Sequence, residues 1–141
     1  MSVKDPFVAS VVGTPVERVE DLRLLRGQGQ YVDDLHPEGL LHAAILRSSV
    51  AHGRIRSIDV KAALAMPGVR GVFTAEDVAR GSGGSVPTVS LRLAPLPELE
   101  PFGQPVIAHM KVRCVGEPIA VVVADTAGLA EDALEAIDVD I

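Results

Sequence analysis

The side chains able to do chemistry in this sequence are one thiol, four imidazoles, a group of carboxylates near its C-terminal end and a scatter of hydroxyls. Cys114 lies between Arg113 and Val115. A neighbouring cation lowers a thiol pKa and favours a thiolate nucleophile, whereas a neutral thiol packs as a small apolar group. Its place in a stretch that reads as a strand favours the second, buried role. His36, His42, His52 and His109 show neither H-E-x-x-H nor any other metal-ligand spacing. His42 sits in an apolar run, where an imidazole ordinarily serves as a hydrogen-bonded core residue. Glu131, Asp132, Glu135, Asp138 and Asp140 are of the type used in general acid–base catalysis, but on the flank of a helix they make a solvated face. Ser48, Ser49 and Ser90 lack the G-x-S-x-G elbow of a serine nucleophile. Gly27-Gln28-Gly29 has no strand before it and no helix after it, and Gly81-Ser82-Gly83-Gly84 has no following Lys-Ser/Thr. Both read as turns rather than phosphate loops.

With no catalytic spacing visible, the elements that would position these groups carry the reading. Ile119 to Ala124 is a six-residue apolar run containing three valines, which suits a strand buried on both faces. From Thr126 the period changes: Leu129, Ala130, Ala133, Leu134 and Ile137 form one helical stripe, with Thr126 or Asp125 as the cap. Asp138 to Ile141 returns to alternation and begins a strand with no turn signal after it. Leu40 to Leu46 is a second apolar run and reads as a central strand. Arg54 to Asp59 alternates as a half-buried strand, and Asp59 caps a short helix over Val60 to Met66 that Pro67-Gly68 ends. Val69 to Thr74 reads as a strand followed by one further helical turn. Val106 to Ala108 and Lys111 to Val115 read as a strand pair or one bent strand.

Two regions stand outside this pattern. Residues 1–17 mix Pro6, Gly13 and Pro15 with short apolar pairs and read as an extended arm, followed by a short helix from Arg18 to Leu25. Residues 81–105 carry Gly81, Gly83, Gly84 and five prolines, which makes them a long loop or excursion.

Composition excludes several classes of function. A length of 141 residues suits one domain with a core of its own, and 48% apolar against 23% charged residues describes a globular chain. Aromatics at 3% with no Trp make that core aliphatic and argue against stacking on nucleobases. A formal charge of −6 argues against nucleic acid or an anionic membrane as partner. One cysteine excludes an internal disulfide framework and makes the cytoplasm the default compartment. No apolar segment has the length of a secretory signal core or a membrane-spanning helix.

Three stretches, in order, add a resemblance. Arg18-Val19-Glu20-Asp21, Leu24-Leu25-Arg26-Gly27, Gly29 and Tyr31-Val32-Asp33-Asp34 form the first. Arg47-Ser48-Ser49-Val50-Ala51-His52-Gly53-Arg54-Ile55, with Ile58-Asp59 and Met66-Pro67-Gly68-Val69, forms the second. Val115-Gly116-Glu117-Pro118 running through Ala124 into the acidic, alanine-rich helix forms the third. Together they resemble the N-terminal α/β hammerhead domain of the molybdenum hydroxylase large subunit, the group of xanthine dehydrogenase, aldehyde oxidase and aerobic carbon monoxide dehydrogenase. The commoner family form has proline in place of Ser49 and alanine in place of Gly53.

The resemblance implies an α+β fold over residues 18–141, with a mixed β-sheet, a protruding hairpin and two principal helices. It further implies oxidation chemistry at a molybdenum–pterin cofactor, with water-derived oxygen entering a carbon centre or with carbon monoxide as substrate. Electrons would leave through 2Fe-2S clusters and FAD on partner subunits or domains. The glutamate base and cofactor contacts of the family lie in later domains of a subunit several times longer. No catalytic, cofactor-binding or metal-ligating residue therefore carries over onto this chain. The expectation is a truncated gene product, or an N-terminal piece that works with the remainder of the large subunit, inactive alone. A free-standing, non-catalytic interaction module with the hammerhead fold is the alternative.

Overall fold

The computed structural model describes residues 13, 15, 17–89, 98 and 102–141. Contacts divide the chain into two units, Met1–Glu38 and Gly39–Ile141. In the first, α1 spans Asp21–Leu25, within the expected Arg18 to Leu25 but starting three residues later, and buries no residue. Gly27 ends it with a φ of +69°, a left-handed conformation that costs glycine little. The N–H of Gln28 then donates to the carbonyl of Arg23 at 2.9 Å. A 3-10 turn follows at Val32–Asp34, closed by the N–H of Tyr31 donating to Asp34 Oδ2 at 2.8 Å. The expected arm over residues 1–17 lies almost wholly outside the described residues.

The second unit runs β1 (His42–Arg47), β2 (Gly53–Arg54), β3 (Ser57–Asp59), α2 (Lys61–Leu64), β4 (Val69–Thr74), α3 (Ala75–Gly81), β5 (Thr88–Val89), β6 (Gln104–Pro105), β7 (Lys111–Val112), β8 (Pro118–Ala124), α4 (Ala127–Glu135) and β9 (Asp138–Asp140). The class is α+β, and α3 and α4 are the longest described helices. Among the described residues every strand pair is antiparallel. The main sheet has the order β1-β8-β4, with two-stranded sheets β2-β7, β3-β9 and β5-β6 beside it.

One face of the main sheet is the core. Ala120, Val122 and Ala124 of β8 are wholly buried there and pack with Ala63 of α2 and with Ala130, Ala133 and Ile137, which belong to the predicted stripe of α4. The Oγ1 of Thr126 accepts from the N–H of Leu129 at 3.2 Å and caps α4 as expected. α3 is longer than the single turn predicted. Its N-terminus is held by Asp77, whose Oδ2 accepts from the Thr74 N–H at 2.9 Å and from the Thr74 hydroxyl at 3.1 Å. Asp59 Oδ1 accepts from the N–H of Lys61 at 3.0 Å, but α2 is shorter than the expected Val60 to Met66 and its N-cap position is Val60 rather than Asp59.

Several expectations change. Leu40 to Leu46 is not central: β1 begins at His42 and lies at an edge, because the longer and more β-branched β8 takes the position with two partners. Leu40 and Leu41 stay exposed, and His42 is half-buried at the strand's first position rather than a core residue. Arg54 to Asp59 is two strands in separate sheets, β2 pairing with β7 and β3 with β9. The strand predicted around Lys111 to Val115 stops at Val112, and Val106 to Ala108 forms none. Met110 has a φ of +64°, which turns the chain and separates the two pieces. β8 is buried on one face only, since Val121 and Val123 on the other are half-buried. Within residues 81–105, β5 and β6 close an antiparallel ribbon, and residues 90–97 and 99–101 of the expected loop lie outside the described residues.

A candidate positioning site where two sequence motifs meet

The chain's two buried polar residues among those described, Ser48 and Glu117, come from the second and third motifs and lie side by side. β1 and β8 bring them together: their ladder runs from His42 opposite Ala124 to Arg47 opposite Pro118, with an irregularity after Leu46. Beyond it the main chains exchange bonds. The N–H of Ser48 donates to the carbonyl of Glu117 at 2.9 Å, and the N–H of Gly116 donates to the carbonyl of Ser48 at 2.8 Å. Arg47 Nη1 donates to the carbonyl of Gly116 at 2.9 Å. Gly116 has a φ of +85°, so the tight return before β8 requires a residue that tolerates the left-handed region.

The side chains close the joint. Ser48 Oγ donates to the carbonyl of Val50 at 2.8 Å and accepts from the Val50 N–H at 3.1 Å, fixing the start of the loop toward His52. The Glu117 side chain is fully buried, with Oε1 3.0 Å from Arg113 Nη1 and Oε2 accepting from the main-chain N–H of Arg113. A buried carboxylate without partners would cost several kcal/mol, so this pairing is what allows Glu117 inside. Both oxygens of Glu117 and both functions of the Ser48 hydroxyl are thus committed within the chain. Both groups are buried and hydrogen-bonded, and the arrangement fixes the loops that they join.

The sequence-predicted chemical groups do not converge. Cys114 is exposed, correcting the buried role expected of it, because β7 ends at Val112 and the thiol falls in the turn that Glu117 clamps. His36, His52 and His109 are exposed and in separate segments. Glu131, Asp132, Glu135, Asp138 and Asp140 form the solvated face expected, with Asp140 paired to Arg56 at 3.4 Å. Ser49 is exposed, and Ser90 lies outside the described residues. Ser48 and Glu117 were legible only as motif letters; the available signal for Glu117 was an acid set directly against an apolar strand.

Two open hollows lie in the second unit, and one of them adjoins the joint. One of about 470 Å³ is lined by Arg47, Ser48, Ile119, Ile137 and Ile141. The other, of about 410 Å³, is lined by Arg56, Thr74, Asp77, His109 and Met110. In the second, the main-chain N–H of Thr74 holds the Asp77 carboxyl below its ordinary range, with the Thr74 hydroxyl and Arg80 adding to the effect. Among the described residues no three His, Cys, Asp or Glu side chains gather closely enough to ligate a metal. No described helix is long and apolar enough to cross a membrane.

Small antiparallel sheets flanked by short helices, with a buried polar joint between β1 and β8, define an α+β domain of the hammerhead class. A family model described as the aldehyde oxidase and xanthine dehydrogenase a/b hammerhead domain matches residues 26–141, and the chain belongs to that family. It is 38% identical over 136 residues to the nicotine 6-hydroxylase large subunit of Paenarthrobacter nicotinovorans, covering 96% of this chain and 16% of that protein. The crystal structure of quinoline 2-oxidoreductase from Pseudomonas putida 86 is similar with 46% identity and a TM-score of 0.73, over 91% of this chain and 16% of that one. That of the Cu,Mo-CO dehydrogenase in its carbon monoxide reduced state is similar with 39% identity and a TM-score of 0.75, over 91% and 15%. The chain spans only 14–16% of the length of the large subunits it matches.

Proposed function

We propose that this chain is the hammerhead scaffold of a molybdenum–pterin-dependent oxidoreductase large subunit, with residues 18–141 as the domain and residues 1–17 as an arm. The observation that carries the reading is the family match over residues 26–141 in a chain that covers about one-sixth of its relatives. The complete subunit would hydroxylate a carbon centre or oxidise carbon monoxide. It would hold the molybdenum–pterin cofactor in its other domains and pass electrons to iron–sulfur and FAD-binding partners in the cytoplasm. This chain contributes no catalytic, cofactor-binding or metal-ligating residue. Its own contribution is shape: the joint at Ser48 and Glu117 fixes two loops against the main sheet, and rigid loops make precise contacts.

The test is to purify the 141-residue chain and measure bound molybdenum together with dye-linked dehydrogenase activity. Metal below stoichiometry and no turnover are expected. Stoichiometric cofactor or sustained turnover would overturn the assignment of a scaffold role.

A further inference from the structure

The outward face of the main sheet is apolar where an uncovered antiparallel sheet would ordinarily be polar. β8 contributes Val121 and Val123 to it, β1 contributes Ala43 and Ile45, and β4 contributes Gly71 and Phe73. The register sets these six residues in two rows across three strands. Ile45 and Phe73 flank Val121, while Ala43 and Gly71 flank Val123. Ile45 is 41% exposed and Phe73 47% exposed, although no polar side chain interrupts either row. Gly71 adds to the flatness of the platform. A Cβ there would stand 3.0 Å from Cε2 and Cζ of Phe73, so the ring lies over the space that glycine leaves. Valines and a phenylalanine facing water on adjacent strands are an aggregation hazard unless something covers them.

We infer that this face is an interface, and that its occupant is an apolar surface of the remainder of the large subunit. The inference rests on the scaffold reading above. Two observations select that occupant. The relatives carry about six times as much polypeptide as this chain, so a covering segment of the same subunit is at hand. The run from Ile119 to Ala124 has the continuous apolar composition of a strand covered on both sides, and within the described residues α2 and α4 cover one. The inner face is the domain's own core, and the outer face is the one left for a neighbour.

The experiment uses Ile45→Lys and Phe73→Lys, singly and together. In the isolated chain both positions are open to solvent, so circular dichroism and thermal melting should stay close to those of the unmodified protein. A hybrid then replaces the matched stretch of quinoline 2-oxidoreductase with this chain. The unmodified hybrid should give a soluble, trypsin-resistant subunit. The double-lysine hybrid should give roughly tenfold less or lower, since unpaired ammonium groups would be buried. Equal assembly of the two hybrids would overturn the assignment of this face while leaving the scaffold reading intact. Failure of the unmodified hybrid beside a well-assembled parent would overturn the scaffold reading and this inference together. A dimer of the isolated chain in sedimentation equilibrium, abolished by the lysines, would make a second copy the occupant and overturn the inference alone.

Discussion

The carboxylate of Glu117 is fully buried and satisfied by one residue, Arg113, which supplies both its guanidinium at 3.0 Å and its own main-chain N–H. Four positions apart in sequence, the two clamp the turn between β7 and β8 and leave Cys114 and Val115 at its exposed tip. The clamp is a statement about backbone geometry, because it fixes the carbonyls of Gly116 and Glu117 that receive Arg47 and Ser48.

Glu117→Ala should lower stability by about 2–3 kcal/mol, since it strands a buried donor and removes the ion pair at once. Glu117→Gln should lose less, because a carbonyl oxygen remains to accept from the Arg113 N–H. Urea denaturation of both variants beside Arg113→Ala in a double-mutant cycle measures the coupling. A coupling near zero would show that the clamp contributes nothing.

Val122 and Val121 are neighbours on β8 with opposite surroundings, one wholly buried and the other half-buried. Val122→Asp should cost several kcal/mol and unfold the domain, given total stabilities of about 5–15 kcal/mol. Val121→Asp should leave a cooperative melt in the isolated chain. A wild-type melting curve for Val122→Asp would contradict the inward assignment of that face.

Asp77 makes stability depend on pH. The Thr74 N–H bond holds its folded pKa below the ordinary 3.8, so the unfolded chain binds the proton more tightly. Its contribution is therefore complete above that ordinary value and is lost as pH falls through the lower folded one. Asp77→Ala should cost about 1 kcal/mol at neutral pH and progressively less as pH falls below the ordinary carboxylate range, a narrowing that denaturation curves at neutral and acid pH would reveal. A constant offset at all pH values would assign the loss to packing instead.

Met110 sits at a φ of +64° with its side chain 70% exposed, so the left-handed backbone is held without compensating burial. Met110→Asn should stabilise the domain by about 0.5–1 kcal/mol by easing that conformation. Thermal melting of the variant tests this, and a lower melting temperature would mean that the methionine side chain makes contacts of its own that matter.

Local pattern determined much of this protein. The run Ile119 to Ala124, the stripe from Leu129 to Ile137 and the cap at Thr126 were legible because period, β-branching and a short side-chain oxygen act over a few residues. The three motifs likewise placed the chain in its family. Tertiary structure alone decided that β8 and not β1 is central, because strand order depends on which distant segments pair. It alone put Cys114 outside, since one left-handed residue at Met110 and the turn at Gly116 redirect the chain there. It alone joined Ser48 to Glu117 across the chain and left one apolar face of β8 open. Side-chain sequence records how much apolar surface must be covered, and only the fold shows which part of that covering the chain itself provides.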